Sequence, residues 1–339
     1  MDRKAAPPPR PAPALRPLGS GVAGAPGAEL PGLETPGSRP SGLDAEGAWL
    51  RAAVEAFEPR LRELAAREAD GLAGPAWDEA PGTGCGWTCS CCPGPSSSRR
   101  LLDLDHWTAR HGDAPAALAS RLARAATRGE TVLLGAAADP WERPDRRAQT
   151  RRLLEACRAA LVPAGTGLRI AVLTTSPLLV CDEDLLVELD HVHALTVEMS
   201  LPTTDSALAR RLEPAGPAPG DRLGAVAGLT AAGLATTVRC RPLMPGLDDG
   251  EAALRSLLAA AAEAGATDVA ASVLVMPRGA ARQRLLAWLE AEAPEVLPLY
   301  RRLYRGRTSL RATDREALLV DFERLRLEHG FPRAGAGRG

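Results

Sequence analysis

The chain has 339 residues, of which 45% are hydrophobic and 24% are charged, and its formal net charge is −1. This length is enough to bury a substantial core, and the near-neutral balance excludes a protein that attracts polyanions through its overall charge. No run of eighteen apolar residues is present, and the N-terminal region lacks the pattern of a secretory signal. We therefore predict a cytoplasmic protein with no membrane partner.

The first predicted segments lie outside the main fold. Residues 1–45 carry prolines at short intervals and show no apolar periodicity, which is typical of a disordered arm. Residues 46–79 combine the apolar spacing of an amphipathic helix, over about 48–69, with a linker. We expect this segment to join the arm to a core over residues 80–280.

A cysteine cluster opens the predicted core. Four of the seven cysteines lie close together in the glycine-rich stretch GTGCGWTCSCCPG, residues 82–94. Thiolates this close on one loop can converge on a zinc ion or an iron–sulfur cluster. Because adjacent cysteines seldom reach one metal comfortably, we expect three ligands, Cys85, Cys89 and Cys92, with Cys91 as an extra thiol. Three ligands favour a 4Fe–4S cluster with one open iron, and zinc held by all four cysteines is the alternative.

The rest of the core alternates between strand and helix patterns. Five apolar runs rich in β-branched residues predict strands, namely TVLLG (131–135), LRIAVLTT (168–175), ALTVEMSL (194–201), ATTVRC (235–240) and DVAASVLVM (268–276). Helical patterns fall at 115–126, 150–161, 221–232 and 250–264. Apolar strands separated by helices predict an α/β fold with a parallel sheet, either open or closed into a barrel.

The tail, residues 281–339, has no strand signal and predicts a helical C-terminal extension. Within it, LYRRLYRGRTSLR (299–311) is locally basic. Two interpretations stay open for this stretch. It is either a solvated helix face beside a loop or a contact for phosphate or nucleic acid, since arginine with interleaved tyrosine suits both roles.

Several motifs together resemble one known family. The spacing C-x3-C-x2-C at residues 85–92 resembles the signature of the radical S-adenosylmethionine superfamily. DPWERP (139–144) resembles the D-P-Y-Q-P-x-E stretch of its spore photoproduct lyase-like branch, and TTSPLLVCDEDLL (174–186) resembles that branch's T-K-S-x-L-x-x-R-D-x-D-L-L. Residues 197–226 resemble V-S-x-T-T-x-D…E-P-x-A-P-x-P-x-x-R-L, and RPLMPGLDD (241–249) resembles A-P-x-I-P-G-L-N-D.

The resemblance implies a fold and an activity. The fold would be a partial (β/α)6 TIM-like barrel of parallel strands, with its chemistry at the carboxyl ends of the strands. A 4Fe–4S cluster and S-adenosylmethionine would be its cofactors, and reductive cleavage of S-adenosylmethionine would give a 5′-deoxyadenosyl radical that acts on an unknown substrate. A nucleic-acid lesion is one candidate substrate, and a small protein such as flavodoxin or ferredoxin would donate the electron.

The resemblance also assigns roles at the predicted strand ends. Ser200 and Arg222 would meet the polar and carboxylate groups of S-adenosylmethionine, and Asp139 would accept from its ammonium group. Met244 and Gly246 would line the adenine pocket. Other polar groups at predicted strand ends are Thr174, Ser176, Arg239 and Arg241.

Each of these assignments has a structural alternative. Arg222 could pair with Glu213 or lie exposed on a helix, Asp139 could cap the turn before Pro140, and Gly246 could serve only a turn. These alternatives require no ligand.

The chain also departs from the family's pattern. Thr175 replaces the lysine and Cys181 the arginine of the branch, so two positive charges are missing. A catalytically degenerate iron–sulfur scaffold or redox sensor is therefore the second hypothesis. Cys181 and Cys240 are read as small buried hydrophobic residues, with hydrogen-atom donation to a product radical as the alternative.

Overall fold

The structure is a computed structural model that describes Cys89 and residues 101–135, 138–162 and 166–332. The predicted arm (1–45), the predicted helix and linker (46–79) and the cysteines Cys85, Cys91 and Cys92 lie outside these residues. In the described part, no helix is both long and apolar enough to cross a membrane.

Six strands form one parallel sheet with the spatial order β1-β2-β3-β4-β5-β6. Their bounds are Leu101–Asp103 (β1), Thr131–Leu134 (β2), Arg169–Thr174 (β3), Ala194–Ser200 (β4), Thr236–Leu243 (β5) and Asp268–Val273 (β6). The sheet is open and flanked by helices, which is consistent with the partial TIM-like barrel that the sequence predicts.

The helices of the core connect successive strands. They are α1 (Leu104–His111), α2 (Pro115–Arg128), α3 (Pro144–Arg158), α4 (Glu183–Val192), α5 (Ser206–Leu212), α6 (Pro219–Ala231) and α7 (Glu251–Glu263). A 3-10 helix, Pro177–Asp182, precedes α4. The predicted C-terminal extension consists of α8 (Gly279–Glu292), α9 (Leu297–Leu303) and α10 (Ala312–Glu328).

Local sequence signals explain several of the helix ends. Proline occupies the first position of α2, α3 and α6, where its missing N–H has no helical partner to lose. The side chain of Asp205 caps α5 by accepting from the backbone N–H groups of Ala207 at 2.8 Å and Leu208 at 3.1 Å. Gly129 ends α2 in the left-handed conformation, with φ of 61°.

Alternate residues of the strands face opposite sides of the sheet. On β4, Leu195, Val197 and Met199 are buried in one hydrophobic cluster with leucines of the helices. The residues between them belong to the other side, which is less buried. We call that side the inner face and define it by these partly buried residues of β2 to β6: Leu133, Leu173, Glu198, Ser200, Thr237, Arg239, Arg241 and Ser272.

The structure confirms the five predicted strands and the helical extension, with differences at some boundaries. β5 continues to Leu243, past the predicted end at Cys240, because Leu243 pairs with Val273 beyond an irregularity in the ladder. β6 ends at Val273 rather than Met276, since the Met276 N–H donates to the carbonyl of Thr308 in the C-terminal extension at 2.7 Å.

Other elements also differ from the sequence prediction, and helices α1, α4 and α5 have no counterpart among the predicted ranges. Strand β1 was not predicted, because three residues are too few to display an alternating pattern. Helix α3 begins at Pro144 rather than Thr150, and its first turns carry polar side chains that give no apolar period.

Candidate functional site at the carboxyl edge of the sheet

Cys89 is the predicted cluster ligand that the structure describes, and it lies near the carboxyl end of β4. Its Sγ is 3.7 Å from Oε1 of Glu213, and its side chain packs against the hydrophobic core. Oε2 of Glu213 accepts from Nη2 of Arg222 at 2.5 Å. Nη1 of Arg222 donates to the carbonyl of Ser200, the last residue of β4, at 3.0 Å. A continuous chain of contacts therefore links Cys89 to the strand end that carries Ser200.

Arg222 is held by acceptors of the protein itself. Besides Glu213 and Ser200, the carbonyl of Pro217 accepts from Nε at 3.1 Å and from Nη2 at 2.8 Å. The Arg222 side chain is 1% exposed. The predicted alternative, a pair with Glu213, is confirmed, and a contact of Arg222 with S-adenosylmethionine stays a prediction.

Asp139 joins the carboxyl ends of β2 and β3. Its Oδ1 accepts from Oγ1 of Thr174 at 2.6 Å and from the N–H of Trp141 at 3.0 Å, and its Oδ2 accepts from the N–H of Thr175 at 2.6 Å. The bond to Trp141 closes the turn around Pro140, as the alternative interpretation predicted. A contact of Asp139 with an ammonium group stays a prediction.

The turn after β5 brings Met244 and Gly246 together with an acidic residue to which the sequence analysis assigned no role. The N–H of Met244 donates to Oδ1 of Asp248 at 2.6 Å, and both side chains are buried. Oδ2 of Asp248 is buried and accepts no hydrogen bond from the described residues. Burial raises the pKa of Asp248 well above its usual range, although the bond from Met244 opposes the rise. The sequence carries one signal that could have drawn attention to Asp248, since the branch's motif has asparagine at this position.

Gly246 has a conformation that favours glycine. Its φ is +80°, and a Cβ at this position would lie 3.1 Å from Cγ1 of Val296 and 3.3 Å from Cδ2 of Leu299. The glycine therefore lets the turn after β5 approach the C-terminal extension closely. The predicted turn role is confirmed, and the predicted adenine contact stays a prediction.

The inner face carries charged groups in the middle of the sheet. Nε and Nη2 of Arg239 on β5 donate to the two carboxylate oxygens of Glu198 on β4, at 2.8 Å and 2.7 Å. This is the two-point geometry in which guanidinium and carboxylate bind most strongly. Ser200 and Arg241 follow on the same face, nearer the carboxyl edge. A polar inner face of this kind can bind a charged ligand.

A buried carboxylate joins two of the motifs. Oδ2 of Asp182 accepts from Nε1 of Trp141 at 2.7 Å and from Nε of Arg147 at 3.1 Å, and Oδ1 accepts from Nη1 of Arg151 at 2.7 Å. Asp182 is completely buried. It therefore holds the loop after β2 against the loop after β3.

Cys240 and Cys181 differ in their environments. Cys240 is completely buried, Sγ lies 3.5 Å from the carbonyl of Pro202, and burial raises the pKa of its thiol well above the usual range. Cys181 is half-buried, and its carbonyl accepts from Nη2 of Arg147 at 2.9 Å. The prediction of a buried small residue is confirmed for Cys240 only.

The described residues of the site have side chains that suit the predicted cofactors. Within ranges 101–135, 138–162 and 166–332 and Cys89, no three His, Cys, Asp or Glu side chains are placed to hold a metal ion. The expected cluster would need Cys85 and Cys92 in addition to the soft sulfur of Cys89. The orphaned Oδ2 of Asp248 and the charged inner face supply polar atoms that suit a zwitterionic ligand.

Comparisons with known proteins agree with this fold. No protein-family model matches the chain. An uncharacterized protein of Mycobacterium tuberculosis and one of Mycobacterium bovis are each 33% identical to it over 240 residues, which is 69% of this chain and 69% of each relative. A solved spore photoproduct lyase mutant with bound AdoMet and dinucleoside spore photoproduct has a TM-score of 0.51 at 13% identity, over 73% of this chain and 72% of its own.

The chain thus shares the fold of spore photoproduct lyase, and the predicted α/β fold with a parallel sheet is confirmed. It belongs to the same protein family as the two mycobacterial proteins.

Proposed function

We propose that this protein is a radical S-adenosylmethionine enzyme that cleaves S-adenosylmethionine reductively and acts on an unidentified substrate. The observation that carries the proposal is the chain of contacts from Cys89 through Glu213 and Arg222 to the carboxyl end of β4. It joins a member of the C-x3-C-x2-C motif to the edge of a parallel sheet at which active sites of such folds lie.

One group of residues would bind the metal cluster and another would bind the cosubstrate. Cys85, Cys89 and Cys92 would hold a 4Fe–4S cluster, and Asp139, Ser200, Arg222, Met244 and Gly246 are the candidates for contact with S-adenosylmethionine. When bound and reduced, such a cluster supplies the electron that converts S-adenosylmethionine to methionine and a 5′-deoxyadenosyl radical. The inner face would orient the cosubstrate beside the cluster loop and exclude water, which is the usual share of the protein in cofactor chemistry.

Anaerobic reconstitution tests the proposal. Protein loaded with iron and sulfide, reduced with dithionite and mixed with S-adenosylmethionine, should form 5′-deoxyadenosine. The triple variant Cys85→Ser, Cys89→Ser, Cys92→Ser should bind no cluster and form none. Cys91→Ser is the matched control in the same loop, and it should retain both the cluster and the product.

The second hypothesis, a catalytically degenerate scaffold or redox sensor, rests on Thr175 and Cys181. The structure has the Thr175 N–H bonded to Asp139, and both positions lack the cation of the branch's pattern. This hypothesis predicts an intact cluster but no 5′-deoxyadenosine with any reductant, including flavodoxin or ferredoxin, the electron donors that the first hypothesis proposes.

An exposed basic surface at the end of α9 favours nucleic acid as the substrate class. Arg301, Arg302 and Arg305 at the end of α9 are exposed and form no hydrogen bond or ion pair with described residues. Tyr300 and Tyr304 of the same stretch are completely buried, and the hydroxyl of Tyr304 donates to the carbonyl of Leu274 just beyond β6 at 2.7 Å, so the support rests on the arginines alone. Binding of a fluorescent single-stranded oligonucleotide should weaken with salt and with Arg301→Gln and Arg302→Gln. Unchanged binding in these variants would remove this support.

A further inference from the structure

Arg241 has a position on the inner face that none of the assigned roles uses. On β5, Cys240 is completely buried on the helix-facing side, so the neighbouring residues Arg239 and Arg241 lie on the inner face. Arg239 is satisfied by Glu198. Arg241 lies nearer the carboxyl edge, where the ladder between β5 and β6 is irregular over residues 240–243. Such irregularities are frequent beside active sites, where they redirect a side chain.

The guanidinium of Arg241 has no partner in the described part of the chain. It is half-buried, yet no hydrogen bond or ion pair joins it to another described residue. Arginine stays charged at every pH at which proteins fold, and its planar group offers five donors. A half-buried guanidinium with free donors on an otherwise polar face is available to a ligand with negatively charged oxygens.

Arg222 and Arg239 are not available in the same way. Arg222 serves Glu213, Pro217 and Ser200, and Arg239 serves Glu198. Thr175 and Cys181 hold no charge where the motif pattern has lysine and arginine. Conversely, that pattern has alanine at the position of Arg241. The chain therefore lacks two cations of the pattern and has one additional cation on the inner face.

We propose that Arg241 is the oxyanion-binding residue of the inner face, and that its ligand is the carboxylate of S-adenosylmethionine or a phosphate of the substrate. The proposal rests on the proposed function for the first ligand only. In either case the planar fork of arginine would bind two oxygens of the anion, which lysine cannot reproduce.

The first experiment compares S-adenosylmethionine with decarboxylated S-adenosylmethionine, which lacks only the carboxylate. Their dissociation constants are measured by equilibrium dialysis with anaerobically reconstituted wild type, Arg241→Gln, Arg241→Lys and Arg124→Gln. Arg124 is an exposed arginine on α2 and serves as the charge-matched control. If Arg241 binds the carboxylate, Arg241→Gln weakens S-adenosylmethionine about 10- to 100-fold and no longer discriminates it from the decarboxylated form. Arg241→Lys should fall between, and Arg124→Gln should match the wild type.

The second experiment addresses phosphate. Broadening of the ³¹P signal of inorganic phosphate is measured with each protein, with and without S-adenosylmethionine. Broadening by the wild type that is lost in Arg241→Gln but kept in Arg124→Gln identifies a phosphate site at Arg241. Circular dichroism and urea unfolding confirm that the variants are folded.

The outcomes separate the two proposals. A wild type that binds no S-adenosylmethionine contradicts the proposed function, and the phosphate experiment still decides the role of Arg241. The oxyanion role of Arg241 is wrong if Arg241→Gln behaves like the wild type in both experiments. It would then bind S-adenosylmethionine with the same affinity, discriminate against the decarboxylated form to the same degree and give the same phosphate signal.

Discussion

Nη2 of Arg222 lies 2.5 Å from Oε2 of Glu213, and the two side chains are 1% and 5% exposed. This buried pair lies between Cys89 and the end of β4, because Cys89 contacts the other carboxylate oxygen of Glu213 and Arg222 donates to the carbonyl of Ser200. The pair therefore connects Cys89, a predicted cluster ligand, to the sheet.

Arg222→Gln should destabilise the apoprotein by about 3–5 kcal/mol, since it leaves a buried carboxylate without its cation. The double variant Arg222→Gln, Glu213→Gln should recover part of that loss, because it removes both charges. Urea unfolding at pH 7 measures the free energies of unfolding. A loss below about 1 kcal/mol for the single variant would show that the pair is not buried as described.

Asp182→Ala should destabilise the apoprotein by about 3 kcal/mol, because it leaves the buried indole N–H of Trp141 without its acceptor and removes the buried ion-pair partner of Arg147 and Arg151. Asp184→Ala is the control on the same segment, with a side chain that is 66% exposed in its pair with Arg151. It should cost at most about 1 kcal/mol. Similar losses for both variants in urea unfolding would contradict the buried network.

Gly246→Ala should destabilise the protein more than Gly233→Ala or Gly250→Ala. At Gly246 the positive φ and the approach of Val296 both oppose a Cβ, whereas Gly233 has a positive φ of +89° and open space, and Gly250 has neither restriction. We expect a loss of about 2–3 kcal/mol at Gly246, about 1 kcal/mol at Gly233 and less at Gly250. The order of the thermal midpoints checks this, and equal midpoints would contradict the close packing at Gly246.

The stability of the apoprotein should depend on pH through Asp105. Burial raises the pKa of this carboxyl from 3.8 to about 6, although a hydrogen bond from the N–H of Gly135 opposes the rise. Because the folded-state pKa is the higher one, the contribution of Asp105 to stability is complete below about pH 4 and is lost as pH rises through 6.

Asp105→Asn should remove this dependence. The free energy of unfolding of the variant minus that of the wild type should rise by up to about 3 kcal/mol between pH 4 and pH 7. Urea unfolding at four pH values measures this difference, in which the contributions of other groups cancel. A difference that is constant over this range would show that Asp105 titrates normally.

The parallel sheet could be predicted from the sequence because its strands are rich in apolar and β-branched residues and are separated by helical patterns. The predicted ranges of β4 (194–201) and α6 (221–232) agree with the structure to within two residues. β1 could not be predicted, since it is an extended segment of three residues whose pairing with β2 is a tertiary event.

The candidate site could be predicted less completely than the fold. The motifs predict candidate residues near the ends of strands, and their contacts with a cosubstrate stay predictions. Whether Arg222 is free or paired depends on where Glu213 and the carbonyl of Pro217 lie in space. Asp248 and Arg241 also stand within a recognised motif. Oδ2 of Asp248 and the guanidinium of Arg241 have no hydrogen-bond partner among the described residues, and no spacing rule can indicate that.

The most direct test of the central claim is the content and spectrum of the metal centre. Protein purified and reconstituted without air should contain iron and acid-labile sulfide in the ratio of a 4Fe–4S cluster. After reduction, its electron paramagnetic resonance signal should shift when S-adenosylmethionine is added, and the triple serine variant at Cys85, Cys89 and Cys92 should show no signal. Colourless protein that contains zinc and no sulfide would contradict the account.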